Sequence, residues 1–213
     1  MQSSTASHIQ IMQKMAKAMG GGLPKLGKVN TALPSLILLT DDVRLPNPIP
    51  AANEMPARSA VLFRHYDAPN RYELASELAD VCREKNLLLW IGCDLALAKS
   101  VGAHGLHLPE FMARRARPMV PREMTVTAAA HSYAAIRCAE AIGADAVLVS
   151  PIFPSQSHPH RQALGPLKFR QLVDQSNLPT YALGGIGLTN AKKLAGSGGA
   201  GIAAIGSLSG NKP

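Results

Sequence analysis

From Leu33 onward the chain repeats one unit: a short apolar run, a polar turn, then a stretch with helical spacing. The runs are LPSLILLTDD, SAVLFRHYD, NLLLWIGCD, GLHLPE, MTVTAAAHS, AVLVSPIF, PTYALGGI and GIAAIGSL, eight in all. Each is apolar nearly throughout, which predicts strands buried on both faces, as in a parallel sheet covered by helices. Between several of them, NRYELASELADVCREKN, SYAAIRCAEAIGA, GPLKFRQLVDQSN and LTNAKKLAGSG space their apolar residues for helices. Eight such units predict a compact α/β fold, a closed (β/α)8 TIM barrel, with an open doubly wound sheet as the alternative. The polar groups favour the barrel because they gather at the carboxyl ends of the runs. They are Asp41 and Asp42, Arg64 and His65, Cys93 and Asp94, His107, His131, Ser155 to His158, then Gly184 and Gly185. A barrel brings all these ends to one rim.

No composition break follows Leu33, so residues 33–213 are expected to form a single barrel domain, with residues 1–32 as an N-terminal helix and linker. In FMARRARPMVPREM, after the fourth run, prolines should limit the helix to its first two turns. The eighth run is followed by SGNKP, so the last helix is expected to be missing or truncated. Ile9, Ile11, Met12, Met15 and Met19 form a rough apolar stripe that GGG terminates. That extra helix, or a second subunit, is expected to cover the wall left bare. The same segment carries Lys and Ser and no acid through Asn30, a composition shared with mitochondrial presequences, but docking is the favoured reading.

A net charge of +8 and a pI near 9.7 favour anionic partners: phosphorylated metabolites, nucleic acid or acidic membranes. The basic stretches ARRARP and HPHRQ lack interleaved aromatics and zinc spacing, so they read as a solvated rim, without nucleic acid. No run approaches the ~20 apolar residues that span a bilayer, so no membrane partner is expected. Cys82, Cys93 and Cys138 are odd in number and lack a C-x-x-C pair, which fits reduced thiols in a cytoplasmic protein.

Adjacent glycines at a strand end expose bare backbone N–H groups to which a phosphate can come close. Gly184 and Gly185 end the seventh run and Gly206 and Ser207 the eighth, the usual phosphate site of a barrel; the alternative is a pair of tight turns. His131, after three alanines, is either a general acid–base group or a structural residue that caps the following helix or bonds a neighbouring carbonyl. Arg64 and His65 are placed to meet an anion or are solvated, Asp41 and Asp42 bind a cation or cap a turn, and Cys93 reads as an inert thiol.

The segments GADAVLVSPIFPSQSHPHRQALGPLKF, LPTYALGGI and GAGIAAIGSL resemble the second half of the thiamine phosphate synthase and TenI (thiazole tautomerase) family. LALAKSVGAHGLHLPE is similar to its fourth-strand signature, and the resemblance spans residues 36–208. It implies a role in thiamine biosynthesis, a thiazole phosphate as the small-molecule partner, and often a homo-oligomer. It also implies an acid–base role for His131, phosphate binding by Gly184, Gly185, Gly206 and Ser207, and substrate contact by Arg64, Ser155, Ser157 and His158.

The synthase branch joins a pyrimidine diphosphate to the thiazole phosphate, releasing pyrophosphate with Mg2+ present. Here the family's Gln-Leu-Arg-x-Lys reads Leu62-Phe63-Arg64-His65-Tyr66, its Asn-Asp reads Gly92-Cys93, and its Gly-Gln-Glu-Asp reads Pro109-Glu110-Phe111-Met112. Ala129 stands for a serine and His158 for a lysine. Diphosphate and metal handling are therefore depleted, with Asp94 and Glu110 as the remaining candidate ligands. The tautomerase branch moves a proton and needs no metal or other cofactor, so a tautomerase-like role is placed first. Synthase activity is the second expectation and a non-catalytic phosphate-binding regulator the third.

Overall fold

A computed structural model describes residues 2–21, 33–115, 119–154 and 162–209. All eight apolar runs form strands: β1 Leu36–Leu39, β2 Ala60–Phe63, β3 Leu88–Gly92, β4 Gly105–Leu108, β5 Thr125–Ala130, β6 Ala146–Val149, β7 Thr180–Leu183 and β8 Gly201–Ala204. They pair in parallel, each with its sequence neighbour, and β8 pairs back onto β1 to close a barrel. The expected (β/α)8 architecture is what forms. Almost every strand residue is buried, because side chains alternate between the barrel interior and the surrounding helices and neither side is wet.

The helices are α1 Gln2–Lys17, α2 Ile49–Asn53, α3 Arg71–Glu84, α4 Leu95–Ser100, α5 Glu110–Ala113, α6 Tyr133–Ala141 and α7 Gly165–Gln175. Ser132 caps α6 by accepting from the Ala135 N–H at 3.2 Å, and Asp94 caps α4 through the Leu97 N–H at 2.9 Å. Two expectations need correction. LTNAKKLAGSG makes only a 3-10 turn, Ala191–Leu194, because the Asn190 side chain is drawn back onto the Gly187 N–H and the Gly185 carbonyl. The basic stretch after β4 keeps a single helical turn, α5, rather than two.

After β8 the described chain forms only the 3-10 turn Gly206–Leu208, and α1 takes the place of the last helix. It lies against β8, β1 and both 3-10 turns. Its buried face is Ile9, Met12 and Ala16, continued by Met19 just past its end, so the stripe runs through Ala16 and leaves Ile11 42% exposed. The carbonyls of Ala18 and Met19 accept from the Gly196 and Gly198 N–H groups at 3.0 and 2.8 Å, tying the helix end to the loop before β8. Among the described residues no helix is long and apolar enough to cross a membrane, and all three cysteines are free.

Candidate active site

His131 follows the last residue of β5, where the strand ends converge. Its Nδ1 lies 2.7 Å from the Ser150 carbonyl, which can only accept, so Nδ1 carries the hydrogen. The neutral ring therefore holds its lone pair at Nε2. The His131 backbone N–H donates to the Glu110 carboxylate at 3.0 Å, so the residue is fixed at both its main chain and its ring. A half-buried imidazole in this state is equipped to take and return a proton.

Two strands further round, Gly184 and Gly185 adopt φ of 96° and 65°. Their missing side chains serve packing as well as access. A Cβ on Gly185 would lie 2.5 Å from the carbonyl oxygens of both Phe153 and Pro154, and one on Gly184 would lie 3.0 Å from the Pro151 Cα. The bend after β7 is thereby locked to the loop that leaves β6. Beside it, Gly206 and Ser207 open the 3-10 turn, whose first N–H groups have no partner within the turn. The Ser207 hydroxyl is buried and has no partner among the described residues. An orphaned buried hydroxyl of this kind calls for one. Ser155, Ser157 and His158 lie outside the described residues.

On the other flank of β8, Arg64 spans β1 and β2. Its Nε donates to the Thr40 carbonyl at 3.2 Å and Nη2 lies 3.4 Å from Asp41, with the side chain one-quarter exposed. Burial lowers its pKa. His65 does not face an anion: it is buried, receives the Thr40 hydroxyl at Nδ1 (2.8 Å), and donates from Nε2 to the Pro46 carbonyl (3.2 Å). Asp41 adopts the turn-capping role, accepting from the Val43 and Arg44 N–H groups and pairing with Arg44. Burial pushes its carboxyl up, but Arg44 and then Arg64 outweigh this and bring its pKa to about 2.

Asp94 and Glu110 are each engaged. Asp94 caps α4 and pairs with Arg71 at 3.2 Å, while Glu110 pairs with Arg114 at 2.6 Å and holds His131. Magnesium takes a nearly octahedral shell of hard oxygens. Among the described residues no three His, Cys, Asp or Glu side chains form a group able to hold a metal ion. Magnesium is usually held by one or two carboxylates together with substrate phosphates and waters, and both of these carboxylates are already paired with an arginine.

Two features go beyond the sequence reading, which counted His107 only as one of the strand-end polar groups. His107 points into the barrel interior, where Nδ1 meets the Thr127 hydroxyl at 2.9 Å; burial, with Arg64's charge adding, drops its pKa to about 3. A polar residue inside GLHL, opposite a threonine in TVTAAA, was the available signal. A cavity of about 420 Å3 also opens at the opposite, amino-terminal end of the strands, lined by Leu88, Lys99, His104, Glu123, Met124 and Thr125 among others. It lies away from His131 and the glycine turns.

The family model described as thiamine monophosphate synthase matches residues 51–208. The chain is 35% identical over 152 residues to a putative thiamine-phosphate synthase 2 of Aquifex aeolicus, covering 68% of this chain and 80% of that protein. It is 31% identical over 159 residues to a thiamine-phosphate synthase of Prochlorococcus marinus, covering 71% of this chain and 44% of that one. Among solved structures, a thiamine phosphate pyrophosphorylase from Pyrococcus furiosus matches with a TM-score of 0.67 at 25% identity, over 82% of this chain and 86% of that one.

Proposed function

Since the chain belongs to the thiamine monophosphate synthase family, a family of enzymes acting on small phosphorylated substrates, we propose that it binds a thiazole phosphate at its mouth. The phosphate sits against the amides of Gly184, Gly185, Gly206 and Ser207. The unpartnered Ser207 hydroxyl supports this placement, since a phosphate oxygen would supply the acceptor it lacks. Arg64, and Ser155, Ser157 and His158 beyond the described residues, serve the rest of the substrate. The protein works in the cytoplasm as a homo-oligomer, which its mass in solution tests.

Two reactions compete for this site. The names carried by the relatives support the joining of a pyrimidine diphosphate to the thiazole phosphate, and they support it better than they support tautomerisation. The geometry of the described residues supports proton transfer. The observation that carries this reading is His131, whose Nδ1–H is spent on Ser150 so that Nε2 faces its task unprotonated. Nε2 takes a proton from one atom of the thiazole ring and returns it to another, with no net change in protonation. The clamped phosphate keeps the ring within hydrogen-bond reach for both steps. Mg2+, if bound with a diphosphate, would supply charge neutralisation of the leaving group.

One set of assays separates the readings. Pyrophosphate release from Mg2+, a pyrimidine diphosphate and thiazole phosphate supports joining. Exchange of the thiazole ring proton into deuterated water without Mg2+, lost in His131→Ala, supports proton transfer. Thiazole phosphate binding with neither reaction overturns both and leaves a carrier or regulator.

A further inference from the structure

The parallel ladder between β4 and β5 begins with the Thr125 N–H donating to the His104 carbonyl. Every second residue of β5 turns its N–H toward β4. Six residues on, His131 therefore comes level with residue 110. The carbonyl of Glu110 is not available there, because it has entered α5 and accepts from the Arg114 N–H at 3.1 Å. The Glu110 carboxylate takes its place: Oε2 receives the His131 N–H at 3.0 Å, while Oε1 is held by Arg114 Nε and Nη2 at 3.1 and 2.6 Å. The side chain thus extends the ladder by one rung beyond the end of both strands.

That rung bears on the ring. His131 has left the sheet, and among the described residues Glu110 is the partner that its main-chain N–H has between Ala130 and the α6 cap Ser132. The ring reaches the Ser150 carbonyl on the other side of β5, a contact of 2.7 Å that tolerates little displacement. We infer that Glu110, steadied by Arg114, is a positioning residue: it anchors the His131 backbone so that Nδ1–H meets Ser150 and Nε2 is kept as the proton acceptor. Glu110 acts through His131 and does not touch the substrate. This rests on the proton-transfer reading of His131.

The test reads the imidazole directly. In wild-type protein labelled with 15N-histidine, the His131 signals should be those of the Nδ1–H form at a pH where the ring is neutral. Glu110→Ala should move them toward a mixture of tautomers and lower kcat about ten- to a hundred-fold with KM nearly unchanged. Glu110→Gln, which keeps an acceptor oxygen for the N–H, should restore both readouts. Glu110→Asp, too short to reach, replaces the alanine variant if that one fails to fold. Unchanged ring signals in the alanine or aspartate variant overturn the inference, as does an equal loss in the glutamine variant. If His131→Ala were fully active, the proton-transfer reading would fail while the spectroscopic result on Glu110 kept its meaning.

Discussion

The phenol of Tyr66 occupies the space that a side chain on Gly92 would need: a Cβ there would lie 2.7 Å from the hydroxyl oxygen and 2.9 Å from Cε1. The hydroxyl bonds Cys93, and burial followed by that neighbour raises the phenol pKa. The Arg71 guanidinium carbon stands 5.8 Å from the ring centroid while its nitrogens hold the Gly92 carbonyl and Asp94. The corner between β2 and β3 is thus closed by its own side chains, with its cation and carboxylate paired to each other.

Gly92→Ala should push the phenol off its seat, costing about 1 kcal/mol for the hydroxyl contact to Cys93. In a Tyr66→Ala background the same substitution meets less resistance. Urea unfolding of the four proteins should therefore give a coupling of about 1 kcal/mol, and additivity within about 0.3 kcal/mol would show that the two residues do not share this space.

The wall closed by α1 can be tested through one face of that helix. Met12 is fully buried, so Met12→Ala should cost about 2–4 kcal/mol. Ile11→Ala, one position round the helix and 42% exposed, should cost less than about 0.5 kcal/mol. Equal costs in chemical denaturation would mean that α1 does not pack as described.

The barrel was legible because its evidence is local: eight runs apolar on both faces announce buried parallel strands without reference to one another. The α1 stripe was legible in Ile9, Met12 and Met19 but not in Ala16, since an alanine marks no face until its neighbours are known. What escaped is non-local. Glu110 meets the His131 N–H only because the ladder brings residues 21 apart level, and carboxylates at that spacing look like metal ligands or surface charges. His65 and Arg64 are adjacent, yet strand alternation sends one to Pro46 and the other across β1, and register is set only when the barrel closes.

Acid should reveal the buried histidine. The folded-state pKa of His107, about 3, lies below the ordinary value near 6.5, so the unfolded chain binds its proton first. Its contribution is fully present above about pH 6.5 and is lost as pH falls toward 3. His65 is shifted the same way by burial and adds to the slope. The stability gap between wild type and His107→Asn should therefore narrow by up to about 1.4 kcal/mol per pH unit below pH 6.5. A gap that stays flat from pH 8 to pH 4 would place a charged or solvated ring there instead.

Gly185 separates packing from access in the glycine turn. Alanine there must hold φ near 65° and bring its Cβ within 2.5 Å of two main-chain carbonyls, those of Phe153 and Pro154. Neither oxygen is the end of a flexible side chain, so the whole loop after β6 has to shift, at a cost of about 2 kcal/mol or more. Gly187, two residues on, meets nothing within 4 Å and has no positive φ, and alanine there keeps the N–H that Asn190 accepts. Gly187→Ala should be neutral or slightly stabilising. If the bend presents amides to an anion, Gly185→Ala should also weaken binding of thiazole phosphate at least ten-fold in calorimetric titration, with Gly187→Ala binding as wild type does. Loss of stability with unchanged affinity would make the two glycines a packing device alone and remove the β7 amides from the phosphate site.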